Sequence, residues 1–175
     1  MLGWSDLPAD LSDADQIART AGALPAGAPV ISSDLSRAVG TADAIAAGRF
    51  RLPHDPGLRE INFGRWEGMA FAEAEAADPC LFRAFYDDPG DTRAPEGESW
   101  REASERVGRA ADRLVSEHRG GDVIVVSHMG AILSQVQRAT GFASRDVFAR
   151  RIENFAVTEL RFDGRWLAGG INILP

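Results

Sequence analysis

Two polar clusters in this chain stand where short apolar runs end, and both carry side chains suited to holding an anion. One is Ser127-His128-Met129-Gly130, directly after Val123-Ile124-Val125-Val126; the other is Ser32-Ser33-Asp34-Leu35-Ser36-Arg37-Ala38, directly after Val30-Ile31. Each run reads as a buried parallel strand that delivers a charged or titratable residue to the start of a helix, which is where α/β proteins build ligand sites. A phosphomonoester suits such a place. It carries about two negative charges near neutral pH, and cleaving it requires those charges to be met and the transferring group held in line. Arg37 offers a planar fork of donors for two phosphate oxygens, which lysine could not copy. His128 adds an imidazole, and the backbone N–H groups of Met129 and Gly130 add the anion preference of a helix N-terminus. A leaving alkoxide also needs a proton, so the chemistry calls for a carboxylic acid nearby. Charged residues are available between the clusters, in Leu58-Arg59-Glu60-Ile61-Asn62-Phe63-Gly64-Arg65-Trp66-Glu67-Gly68.

Taken alone, each residue has a plainer role: His128 as a satisfied core histidine, Arg37 as an ion-paired surface residue, Glu60 as a solvated loop carboxylate. The other two histidines, His54 and His118, stand at no strand end. Each tryptophan is first a packing residue, although Trp4 and Glu67 could line a pocket mouth.

The elements that must position these groups alternate as a layered α/β sheet requires. Ser12 is placed to cap a helix with Ala14, Ile17, Ala18, Ala21 and Leu24 on its apolar face. After the Val30-Ile31 strand, Leu35, Ala38, Val39, Ala42, Ile45 and Ala46 recur at helical spacing, so Arg37 falls in the first turn. Residues 62–95 are broken by prolines around Phe71, Leu81, Phe82 and Phe85, an insert of the kind that covers a site mouth. Ser99 and Glu102 form a capping box for a long helix that Gly120-Gly121 ends. Strands over residues 157–162 and 166–173, joined by Asp163-Gly164, finish the chain as a hairpin.

Together these runs resemble the histidine phosphatase superfamily, the phosphoglycerate mutase-like fold, and the resemblance covers nearly the whole chain. Its carriers are the runs around Arg37, Glu60 and His128, with Gly3-Trp4-Ser5-Asp6, Pro95-Glu96-Gly97-Glu98-Ser99 and Asn154-Phe155-Ala156-Val157-Thr158. The resemblance implies a three-layer αβα sandwich with a mostly parallel sheet, and a phosphohistidine route. It assigns Glu60 the proton-donating role beside His128, and gives Arg37, Met129, Gly130 and Gly3 to substrate binding. It also implies a first interior strand ending in Arg-His-Gly, whose histidine attacks phosphorus. Here Met1-Leu2 leads straight into Gly3-Trp4, so that strand is expected to be absent and the chain, as given, N-terminally incomplete and inactive. The alternative expectation is a non-catalytic phosphate-binding or interaction protein that has lost the nucleophile. A mutase is disfavoured: Met129-Gly130 stands where mutases show Gly-Asn, Phe63 where they have tyrosine, and residues 71–86 hold Arg83 as their one base.

Composition bounds the rest. With 175 residues and 45% hydrophobic content, one domain is expected over residues 1–175. A net charge of -7 argues against nucleic acid or an anionic membrane as partner and leaves a small phosphorylated molecule. The lone Cys80 forms no intrachain disulfide, and no apolar run reaches the roughly 18 residues of a membrane span. A cytoplasmic protein is the expectation, with no cofactor and no metal, since the acidic and histidine residues show no ligand spacing. No signal for an oligomeric state is present.

Overall fold

The computed structural model describes residues 1–175 as an α/β fold built on a small parallel sheet. In it, β1 (Val30–Ser32) and β2 (Ile124–Val126) pair in parallel with Val30 opposite Ile124 and Ser32 opposite Val126. β1 is enclosed, because its other side is bridged by Arg51 and the Val30 carbonyl accepts the Leu52 N–H. Its side chains alternate between two cores. Val30 joins Ala21, Ala42, Ile45 and Ile124, burying one face of α1 (Ala14–Ala23) and α2 (Ser36–Ile45). Ile31 turns the opposite way, to Leu58, Ala110 and Leu114 beneath α5 (Trp100–Glu117). Helices therefore cover both faces of the sheet.

β2 is different, since one of its edges is open. Ile124 donates to the Pro29 carbonyl and Val126 accepts from the Ser33 N–H, so the main-chain groups of Val125 face away from β1. The Val125 side chain is 42% exposed.

Local chemistry sets the helix boundaries. α1 starts one residue later than a Ser12 cap would place it, because the Asp13 carboxylate receives the Gln16 N–H while the Ser12 N–H is tied to Asp10. Asp13 gains more there, adding a negative charge to the positive end of the helix. α2 has no cap from its own Leu35; Asp6, from the N-terminal loop, accepts the Ser36 N–H at 2.7 Å instead. The Ser99–Glu102 capping box of α5 is present on both sides. α6 (Met129–Thr140) begins at His128 and ends on Gly141, whose φ is +73°.

Residues 62–95 contain a 3-10 turn at Gly64–Trp66 followed by α3 (Phe71–Ala77) and α4 (Pro79–Asp87). Their aromatic side chains meet edge to face, Trp66 lying 5.5 Å from both Phe82 and Phe85, and continue to Trp100, Leu133 and Val147. Val147 belongs to the short α7 (Ser144–Phe148).

The C-terminal hairpin is shorter than its sequence pattern. Regular pairing holds only between β3 (Leu160–Phe162) and β4 (Trp166–Ala168). Pairing resumes at Val157 opposite Ile173, whereas the register of Leu160 with Ala168 would carry Val157 to Ile171. Two additional residues are therefore looped out of the second strand, where Glu159 bonds both Gly169 and Gly170. No helix is long and apolar enough to cross a membrane.

Candidate active site

The C-terminal ends of β1 and β2 bring Ser33, Arg37 and His128 into contact. Ser33 Oγ lies 2.6 Å from His128 Nε2, and Arg37 Nε donates to His128 Nδ1 at 3.3 Å. A guanidinium has no lone pair to offer, so Nδ1 is the acceptor and the ring proton sits on Nε2, which donates to Ser33. The imidazole is neutral. Burial and the guanidinium groups of Arg37 and Arg106 push His128 down to about 3, with Asp34 opposing them.

Arg37 is aimed by the N-terminal loop. Its Nη1 donates to the Ser5 carbonyl at 2.9 Å and its Nη2 to the Gly3 carbonyl at 2.6 Å. Three of its five N–H donors are thus engaged, and two remain. Glu67 holds the same loop from the other side, accepting from the N–H groups of Trp4 and Ser5, the Ser5 hydroxyl and the Phe63 N–H. Burial alone would raise the Glu67 carboxyl, but these bonds together outweigh it and hold it below the usual carboxylate range. Gly3 is required by close approach: a Cβ there would stand 2.4 Å from Glu67 Oε1 and from the Ile61 carbonyl.

Glu60 lies on the other side of His128, 8% exposed. Its Oε2 accepts the Gly130 N–H at 3.0 Å and its Oε1 the Ile61 N–H at 2.8 Å. Burial pushes its carboxyl up, and those two N–H bonds and the charges of Arg37 and Arg106 only partly offset the push. A Cβ on Gly130 would come within 2.3 Å of Glu60 Oε1, so glycine is what lets the carboxyl reach the helix start. The Gly130 N–H is therefore committed to Glu60, while the Met129 N–H has no partner in the chain and the Met129 side chain points out, 47% exposed.

Of the residues singled out from sequence, Arg37, His128, Glu60, Gly130 and Gly3 come together. His54 lies close by but behind β1, its Nδ1 3.2 Å from the buried Ser32 Oγ; His118 caps the C-terminus of α5. No group of three histidine, cysteine, aspartate or glutamate side chains is close enough to hold a metal ion. Sequence reasoning passes over five contributors. Ser33 sits inside a recognised run, and its burial was the signal to look for. Asp6 and the Asp34–Arg59 pair tie loops together; the Arg59 hydrogen bond holds the Asp34 carboxyl below its ordinary range against burial. Arg106 projects from α5 with no motif around it.

A neutral imidazole, a guanidinium with spare donors, a free helix N–H and a buried carboxyl pushed above its ordinary range stand together at one rim of a parallel sheet, an arrangement suited to an anion. Comparison with known proteins agrees on the class: residues 1–168 match the model of the histidine phosphatase superfamily, branch 1, and the chain belongs to that family. It is 34% identical over 166 residues to a bifunctional protein of Mycobacterium tuberculosis, covering 93% of this chain and 43% of that one. To the metal-independent phosphoserine phosphatase of Arabidopsis thaliana it is 32% identical over 141 residues, covering 79% of this chain and 58% of that one. The mycobacterial glucosyl-3-phosphoglycerate phosphatase in complex with inorganic phosphate superposes with a TM-score of 0.81 at 27% identity, covering 98% of this chain and 90% of that one. The chain thus spans about half the length of these two curated relatives.

Proposed function

We propose that this chain carries the phosphate-binding and proton-donating half of a phosphomonoesterase of the histidine phosphatase type. The observation that carries the reading is the meeting of Arg37, His128 and Glu60, with the Glu60 carboxyl buried and pushed upward from its ordinary value. In this reading the two spare N–H donors of Arg37 and the Met129 N–H bind phosphate oxygens, and an oxygen competes with Ser33 for the His128 Nε2 proton. Glu60 gives its proton to the departing alkoxide. His54 and His118 stand apart from the cluster, so neither is placed to attack, and in this reading the nucleophile is the Arg-His-Gly histidine that the family resemblance implies. The chain acts as one domain, with residues 62–95 covering the site. Phosphatases among the relatives support a hydrolase, and so does the scarcity of free bases in the cover: Arg83 pairs with Glu75 and Arg65 with Glu96. A second reading, phosphate binding without turnover, has in its favour that His128 is the cluster's one histidine.

Inorganic phosphate titrated into the chain and followed by phosphorus NMR tests the binding half. Saturable binding, lost in Arg37→Ala, is expected; equal binding by the variant would overturn the assignment. For the catalytic half, the chain is extended ahead of Met1 with a strand ending in Arg-His-Gly and assayed on an aryl phosphate. Turnover that falls by about 100-fold or more in Glu60→Gln is the outcome expected of an acid catalyst. Binding without any turnover selects the second reading.

A further inference from the structure

Glu60 stands in a loop, residues 57–62, with no helix or strand of its own to fix it beyond a 3-10 turn at Pro56–Leu58. Its main chain is held by a residue from the middle of α5. All five N–H donors of the Arg106 guanidinium are taken. Nη1 donates to the carbonyls of Gly57 at 3.1 Å and Arg59 at 3.0 Å, and Nη2 to the Glu60 carbonyl at 3.0 Å. Nε and Nη2 also grip the two oxygens of Glu98, each at 2.8 Å. Glu98 reaches the far end of the loop, its carboxylate accepting the Asn62 N–H at 2.9 Å and its own N–H donating to the Asn62 carbonyl at 2.8 Å. The two side chains are only 16% and 15% exposed. One ion pair therefore fixes the loop both before and after the carboxyl. Trp4 completes the frame, donating Nε1–H to the Glu60 carbonyl at 2.8 Å with the Arg106 guanidinium 5.7 Å from its ring.

We propose that Arg106, anchored by Glu98, is a positioning residue that keeps the Glu60 carboxyl turned inward against the Gly130 N–H, away from water. The proposal rests on the reading of Glu60 as proton donor and extends it to a residue that touches no substrate. An inward carboxyl keeps its proton to higher pH because it is desolvated; a loosened loop would let it swing to water and ionise in its ordinary range. Lysine has the same charge but three donors at a single point, so it cannot span acceptors on four residues. That difference separates position from charge. Loss of the Arg106 charge alone would raise the Glu60 carboxyl further, whereas loss of the fork with the charge retained would lower it.

The test uses this chain as it stands, with carbon-13-labelled glutamate and the Glu60 carboxyl signal assigned by its loss in Glu60→Gln. The unaltered chain should titrate Glu60 above the ordinary carboxylate range. In Arg106→Lys that midpoint should fall by about one pH unit or more, and Glu98→Asp, which keeps the charge but shortens the reach, should shift it in the same direction, circular dichroism confirming the fold of each variant. A lower denaturation midpoint with Glu60 titrating as before would reduce Arg106 to a structural residue and overturn the proposal. Should Arg106→Lys fail to fold, Glu98→Asp gives the answer alone. The expected shift combined with no turnover in the strand-extended chain would sink Glu60 as proton donor while leaving its positioning intact.

Discussion

At the scale of single residues, two buried titratable groups pull stability in opposite directions with pH. His128 is held near 3 in the fold and returns to about 6.5 when unfolded, so the unfolded chain takes up protons first as pH falls. Its contribution is fully present above about 6.5 and is lost progressively down to about 3, on the order of a few kcal/mol at full extent. Glu60 is raised, so its contribution is present below the ordinary carboxylate value near 4.5 and is lost as pH rises through its folded value. Urea midpoints measured across pH should separate the two. His128→Asn is expected to flatten the loss on the acid side, and Glu60→Gln the loss on the alkaline side. Unchanged slopes in both variants would show that neither group is buried as described. These residues were legible in the sequence because each sits in a short run with its own pattern. Arg106 was not, because its value arises from acceptors tens of residues away, and no local spacing records that; Glu67 was legible as a residue of the pocket mouth but not as the anchor of the N-terminal loop.

At the scale of elements, α5 does more than cover the sheet: it presents Leu114 and Ala110 to one core, Trp100 and Ala103 to another, and Arg106 to the Glu60 loop. Its start is fixed by Ser99, whose Oγ accepts the Glu102 N–H while Glu102 reaches back to the Ser99 N–H. Ser99→Ala should therefore cost about 1 kcal/mol in urea denaturation. If the helix start carries the frame as argued, the same variant should lessen the protection of the Asn62 amide against hydrogen exchange. That box was readable because it is a local signal. The helix start at Asp13 was read one residue early, since Ser12 and Asp13 are both competent caps and only the turn formed by Asp10 decides between them. The hairpin was read as too regular for a comparable reason. Alternation continues through Gly169 and Gly170, but it does not reveal that the two glycines permit a bulge.

At the scale of the whole molecule, the uneven treatment of the two parallel strands is the feature with most consequence. β1 is paired on both sides, whereas β2 leaves the Val125 N–H and carbonyl without backbone partners beside an exposed valine side chain. The C-terminal hairpin contributes no buried residue from β3 or β4. An open edge of this kind is a template for another strand. If an apolar strand ending in Arg-His-Gly is joined ahead of Met1 through a loop, pairing along β2, with its last residues toward Arg37 and His128, is the expected outcome. Each main-chain bond so gained is worth about 0.5 to 1.5 kcal/mol net, so a short pairing should add a few kcal/mol. The comparison to make is with a glycine-serine extension of equal length, which adds the same chain without the pairing. A higher denaturation midpoint and new exchange protection at the Val125 amide are expected only for the apolar extension. Equal midpoints, with Val125 exchanging freely in both, would mean that the edge is not a strand site, and the Arg37 guanidinium and His128 imidazole would then have to work without a nucleophile delivered along β2.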